Sequence, residues 1–210
     1  LVLDITVSPD YSEVESDPYI YQLSPYETRM NDYRPFFSEG SQYFLTPQFT
    51  MFYSRRISDP RVATKVTGKV NDYSFGVLFA DNQTSEADEV FSVIRLKRDI
   101  FQNSSIGIYY TSLQQGEERN QNLSLDFSIY HKNIYTVEGQ VVYSYNKGMS
   151  RNDNGMYYFT FKRAPDAGLS CGLNYIRVGN NVDVKTGYVY QKNTQSTDVF
   201  TGYSWRFKKK

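Results

Sequence analysis

Leu123-Ser-Leu-Asp-Phe-Ser-Ile-Tyr130 alternates apolar and polar residues without a break, and similar runs follow it as far as residue 207. Side chains of a β-strand point to opposite faces with a period of two, so Leu123, Leu125, Phe127 and Ile129 share one face and Ser124, Asp126, Ser128 and Tyr130 the other. In the next run Val137, Val141, Tyr143 and Tyr145 oppose Glu138, Gln140 and Ser144; near the end Val199, Tyr203, Trp205 and Phe207 oppose Gly202, Ser204 and Arg206. Runs near ten residues exceed the ~5–6 of ordinary globular strands and match the ~9–11 that cross a bilayer at a tilt. Aromatics form 17% of the chain, with 20 tyrosines against one tryptophan, and they gather near run ends as interfacial girdles do. The pattern predicts an all-β chain forming an antiparallel transmembrane β-barrel of about 10–12 strands, or the first part of a larger barrel. A soluble β-sandwich or β-solenoid is the competing reading.

Composition removes several classes of function. Lysine plus arginine equals aspartate plus glutamate at 23 each, so nothing electrostatic favours nucleic acid. The longest apolar stretch is a few residues, too short for a spanning helix. Cys171 is the single cysteine and sits in the alternating run Leu169, Cys171, Leu173, Tyr175, where it reads as a small wall residue. His131 is the single histidine, so a His/Cys metal centre or a histidine-dependent triad has almost nothing to be built from. No cofactor, no metal and no enzymatic activity are expected. The start at Leu1, without methionine or an apolar leader, reads as a processed or excised piece.

Two parts are expected along the chain. Residues 1–48 hold a short strand at Leu3 to Val7 and then an irregular segment rich in Pro, Asp, Glu, Tyr and Ser, a plug-like lining for the lumen. Residues 49–210 hold roughly eleven strand candidates, near 49–57, 62–71, 73–80, 90–100, 104–114, 122–131, 134–146, 155–164, 167–177, 181–191 and 196–207. Asn71-Asp72, Lys132-Asn133 and Gly179-Asn180-Asn181 supply turn chemistry between them.

Five motifs carry a family resemblance. They are Thr6-Val-Ser-Pro-Asp-Tyr-Ser-Glu-Val-Glu-Ser-Asp17, Tyr33-Arg-Pro-Phe-Phe-Ser-Glu-Gly40, Phe52-Tyr-Ser-Arg-Arg-Ile57, Lys65-Val-Thr-Gly-Lys69, and Arg95-Leu-Lys-Arg-Asp99 followed by Ser104-Ser-Ile-Gly107. In order and spacing over residues 4 to 107 they resemble the barrel domain of a family of outer-membrane proteins of Bacteroidota and related bacteria, a domain of unknown function (DUF5916) usually preceded by a carbohydrate-binding-like domain. Ser8 stands where the family has Asn, and Tyr33 where it has Lys. The resemblance implies a bacterial outer-membrane location, with the lipid bilayer and lipopolysaccharide as surroundings and oligosaccharide as a candidate solute.

Charge placement gives the candidate site. Lys65, Thr67 and Lys69 share a strand face, as do Arg95, Lys97 and Asp99, and charge on a lipid-facing wall costs ~2–4 kcal/mol at the midplane. Lys65, Lys69, Arg95 and Lys97 are therefore expected to form a basic stripe on the lumen side. Asp10, Glu15, Asp17, Arg34, Glu39, Arg55 and Arg56 are expected to form the ion pairs that pin the N-terminal segment to it. Three functions compete: a porin-like or gated channel for small polar solutes or oligosaccharides; a plugged barrel serving as anchor or assembly partner of a surface complex; and a soluble, tyrosine-rich β-sandwich that binds sugar. A truncated barrel would need missing strands, a partner subunit or a second copy at its edges.

Overall fold

The computed structural model describes residues 1–11, 26–84, 87–148 and 152–206. Ten strands lie side by side in chain order: β1 (Val2–Val7), β2 (Pro60–Val70), β3 (Tyr73–Asn82), β4 (Glu89–Ile100), β5 (Ser104–Gln115), β6 (Glu118–His131), β7 (Tyr135–Asn146), β8 (Gly155–Arg163), β9 (Gly168–Val178) and β10 (Thr194–Ser204). Each neighbouring pair is antiparallel. Tight turns join many of them. At the β6–β7 hairpin Lys132 and Asn133 both take positive φ, 53° and 54°, the geometry that matches the twist of the flanking strands.

The sheet is open, and this overturns the expected barrel. Among the described residues β1 pairs only with β2 and β10 only with β9, so no ladder joins the first strand to the last. Without that ladder there is no closed lumen. Two strand edges keep unpaired N–H and C=O groups, which hydrocarbon does not tolerate. The expected channel, outer-membrane location and contacts with lipid and lipopolysaccharide lose their basis with the closure.

Register preserves the alternation across the sheet. Leu125 stands opposite Ile108 and Val141, and Asp126 opposite Gly107 and Gln140, so the faces stay distinct, one mixing polar groups with the apolar residues of the core and the other predominantly apolar. We call the first inner and the second outer. Two of the eleven expected strands, 49–57 and 181–191, are not strands of the sheet; both lie against the inner face, joined by the β-bridge Thr50↔Tyr188 and by the Tyr53 N–H donating to the Thr186 carbonyl. Their two-residue period has a different origin. Phe49, Met51 and Tyr53 in one, and Val182 and Val184 in the other, are buried against the sheet while their neighbours point away. An extended chain lying on a sheet buries every second residue just as a paired strand does.

The core lies between the inner face and this layer. Residues 26–57 supply Phe37, on the one-turn helix α1 (Pro35–Ser38), and Phe44, Phe49, Met51 and Ile57; the sheet supplies Ala63, Leu78, Ala80, Phe91, Val93, Val142 and Met156. Gly76 makes room for the layer. A Cβ there would come within 2.8 Å of the Phe44 ring, so the ring rests directly on bare backbone.

Candidate functional site

Two surfaces carry the chemistry, the filled inner face and the bare outer one. On the inner face Arg34 is the hub of the lining segment. Its guanidinium grips Asp32 in a two-point pair, Nε to Oδ1 at 2.9 Å and Nη2 to Oδ2 at 2.6 Å, and donates to the carbonyls of Ile57 and Ser54. The Phe37 ring lies under the guanidinium carbon, with its centroid 4.3 Å away. Ser54 Oγ adds a 2.6 Å bond to Asp32 Oδ2. Burial pushes the Asp32 carboxyl up, but the hydrogen bonds from Arg34 and Ser54 outweigh it and hold the group below the usual carboxylate range. Arg34 thus ties residues 32–37 to residues 54–57.

The basic stripe lies on the inner face and is neutralised chiefly by the wall itself. Lys65, 1% exposed, pairs with Asp4 of β1 at 3.1 Å and donates to the backbone carbonyls of Phe36 and Glu39. It is the backbone of Glu39 that receives Lys65, and its side chain is exposed. Arg95 and Asp126 form a buried two-point pair between β4 and β6, spanning Gly107 of β5, where a Cβ would overlap the guanidinium. Lys69 pairs with Asp99 across β2 and β4. Lys97 is half-buried and has no ion-pair partner among the described residues.

The remaining predicted residues scatter. Arg56 pairs with Glu27 at 2.6 Å and reaches the Gly187 carbonyl, linking the two lining segments. Arg55 donates to the carbonyl of Asn31, and Asp10 is exposed. Glu15 and Asp17 lie outside the described residues, as do Phe207 and residues 208–210.

Sequence reasoning missed the groups that dock the lining on the sheet. Gln140 Oε1 accepts from the backbone N–H of Gln48 and of Phe49, at 3.1 and 2.8 Å, while its Nε2 donates to the Phe49 carbonyl and to Ser124 Oγ. Its amide acts as a portable piece of backbone. Thr186 Oγ1 bridges the Met51 carbonyl and Thr111 Oγ1, at 3.1 and 2.7 Å. The Asp183 carbonyl accepts from Asn120 and Ser144. The sheet's side of these contacts, Gln140, Ser124, Thr111, Asn120 and Ser144, consists of amides and hydroxyls on the polar face, a signal present in the sequence but shared with any solvated strand. Tyr109 and Tyr158 share this face. Burial drives the Tyr109 phenol far up, and burial with the adjacent Glu138 pushes Tyr158 up to about 12.

The outer face is covered by nothing among the described residues. Val77, Ile94, Leu96, Ile108, Leu123 and Leu125 are all exposed on it. Gly139 sits between Phe127 and Phe159 in register, and the Phe127 ring lies over it, where a Cβ would come within 2.5 Å; a groove of about 810 Å³ on this face is lined by those rings with Leu125, Val141 and Tyr157. With strands spaced ~4.8 Å and rising ~3.3 Å per residue, the ten-stranded face covers on the order of 1,500 Å². Monomers rarely expose apolar patches beyond ~300–600 Å². Among the described residues no group of three or more His, Cys, Asp or Glu side chains is placed to hold a metal.

Residues 1–77 match the model of a family described as a domain of unknown function (DUF5916). No curated protein and no solved structure matches the chain. The matched stretch spans β1, the first lining segment, β2 and half of β3, and stops before Arg95-Leu-Lys-Arg-Asp99. The resemblance read over residues 4 to 107 is therefore confined to the first 77, and the barrel it implied is replaced by an open sheet.

Proposed function

We propose that the chain is a non-catalytic association module, one sheet of a β-sandwich completed when its outer face packs on the outer face of a second copy. The observation that carries this reading is the continuous apolar outer face set against a polar inner face already filled by the chain's own segments. The whole face, polar margins included, spans on the order of 1,500 Å², against the ~800 Å² per partner that stable interfaces bury. A formal net charge of zero puts no repulsion between copies. Sheets packed face to face interdigitate at ~10 Å, and the groove bordered by Leu125, Val141 and Tyr157 gives a facing row somewhere to seat. Much of the inner face is already covered by residues 26–57 and 179–193, which leave a cavity of about 440 Å³ beside Phe44, Lys65 and Leu78.

Analytical ultracentrifugation of the purified chain tests the reading. A dimer or larger species that Leu96→Asp with Leu125→Asp dissociates, with unchanged far-UV circular dichroism, is the expected result. A wild-type chain that sediments as a monomer at tens of micromolar overturns it.

A second reading rests on the groove. Tyr157 and Tyr175 border its apolar floor, the composition of a platform on which a sugar ring stacks. Oligosaccharide titration followed by tyrosine fluorescence, with Tyr157→Ala as the control, separates it from self-association. Little polar surface lines the groove to satisfy sugar hydroxyls, which favours the first reading.

A further inference from the structure

The edges of the sheet are unequal, and the inequality has a use. β1 offers six residues, β10 eleven. Ten of the eleven residues of β10 are exposed, because among the described residues the inner lining ends before it: Phe200 faces inward yet is 47% exposed. Natural edges are blunted by proline, lysine, bulges or shortness. Thr194-Gln-Ser-Thr-Asp-Val-Phe-Thr-Gly-Tyr-Ser204 has no proline, no lysine and one charge, and its register with β9 runs unbroken for all eleven residues. Among the described residues it is a long, regular strand that pairs on one side only.

We propose that β10 pairs antiparallel with β10 of a second copy, about a two-fold axis at Val199. Val199 is the midpoint of Thr194–Ser204, so this register pairs the full strand. It sets Val199 against Val199, Thr197 against Thr201 and Gln195 against Tyr203 on the outer face. On the inner face it sets Asp198 against Phe200 and Ser196 against Gly202. A shift of one residue would centre the axis on Asp198 and oppose two carboxylates, which is destabilising. Pairing β10 with β1 of another copy would leave five of its residues unpaired and would be head-to-tail, a geometry that extends into filaments unless it closes into a ring. The two-fold pairing closes instead. It extends the sheet and doubles the apolar outer face proposed above as a packing surface. The edge two-fold stands perpendicular to the sheet and the face two-fold lies along it, so the two give a closed tetramer of D2 symmetry when the face axis runs across the strands through the edge axis at Val199.

Cysteine cross-linking tests the register. In a Cys171→Ser background, Val199→Cys is expected to form a disulfide-linked dimer on mild oxidation, since directly opposed residues hold their Cβ atoms ~4.5–5.5 Å apart. Thr197→Cys alone is expected not to cross-link, whereas a mixture of Thr197→Cys and Thr201→Cys chains should give the heterodimer. Equal cross-linking at 197, 198 and 199, or none at 199, overturns the proposal. Val199→Pro on the unmodified chain should halve the sedimenting mass with an unchanged circular dichroism spectrum. The outer-face pair Leu96→Asp and Leu125→Asp separates the two proposals. If only the face reading is wrong, that variant leaves both mass and Val199 cross-link as in the wild type. If only the edge reading is wrong, it lowers the mass to that of a monomer, and no cross-link forms in any background.

Discussion

At the scale of single residues, charge on the inner face is used for fixing and not for display. Asp32 and Arg34 are 8% and 12% exposed, so removing one strands the other. Asp32→Asn is expected to cost about 3 kcal/mol, measured by urea denaturation at neutral pH, because it leaves a nearly buried guanidinium without its counter-charge. The pH dependence follows from the depressed folded value of Asp32. Its stabilising contribution is complete above the unfolded carboxylate value, near ~4, and is lost as pH falls through the lower folded one. Below pH 4 the wild-type urea midpoint should fall towards that of Asp32→Asn. Arg95 and Asp126 behave as a unit. Either Arg95→Met or Asp126→Leu alone should cost about 3–5 kcal/mol, and the double variant should recover most of that loss, since an apolar pair of similar volume needs no desolvation of charge.

At the scale of elements, the lining is held by a few polar anchors over a large apolar contact. Gln140 satisfies two backbone N–H groups and one carbonyl of residues 48 and 49. Gln140→Leu keeps the volume and orphans those groups, at about 2 kcal/mol. Hydrogen exchange is expected to quicken at the Gln48 and Phe49 amides while the β6 and β7 ladders keep their protection; uniform acceleration across the sheet would show that the lining and the wall unfold together. The elements were largely legible beforehand. The apolar runs from 62 to 177 lie on β2 to β9, and the run at 196 lies on β10, because a two-residue period with turn residues at each end reports a strand whatever its partners. Residues 49–57 and 181–191 carry the same period and became lining. Periodicity reports which side chains are buried, and it is silent on whether the backbone has a ladder partner.

At the scale of the whole molecule, the sheet carries one filled face and one bare face. Dilute chain below its association constant should bind an apolar dye such as ANS, and the fluorescence should fall as concentration rises and outer faces pair. Dye binding that is independent of concentration would leave the face unpaired. Charge gives no steering here, because the net charge is zero and the inner-face lysines and arginines are mostly matched by wall acids or lining carbonyls.

The sequence by itself determined where β1 to β10 run and which residues of each share a face, since both follow from local alternation; the expectation that Lys65, Lys69, Arg95 and Lys97 face inward rested on the cost of charge on a lipid-facing wall, a ground that went with the barrel. Only the tertiary structure decided whether the sheet closes. Closure depends on whether β1 and β10 meet, a contact between segments nearly the whole chain apart that leaves no mark on the pattern of either strand. The partners of the basic stripe were hidden for the same reason. Asp126 and Asp99 are ordinary strand residues until register sets them across from Arg95 and Lys69, and a backbone carbonyl such as that of Glu39 has no sequence signal at all.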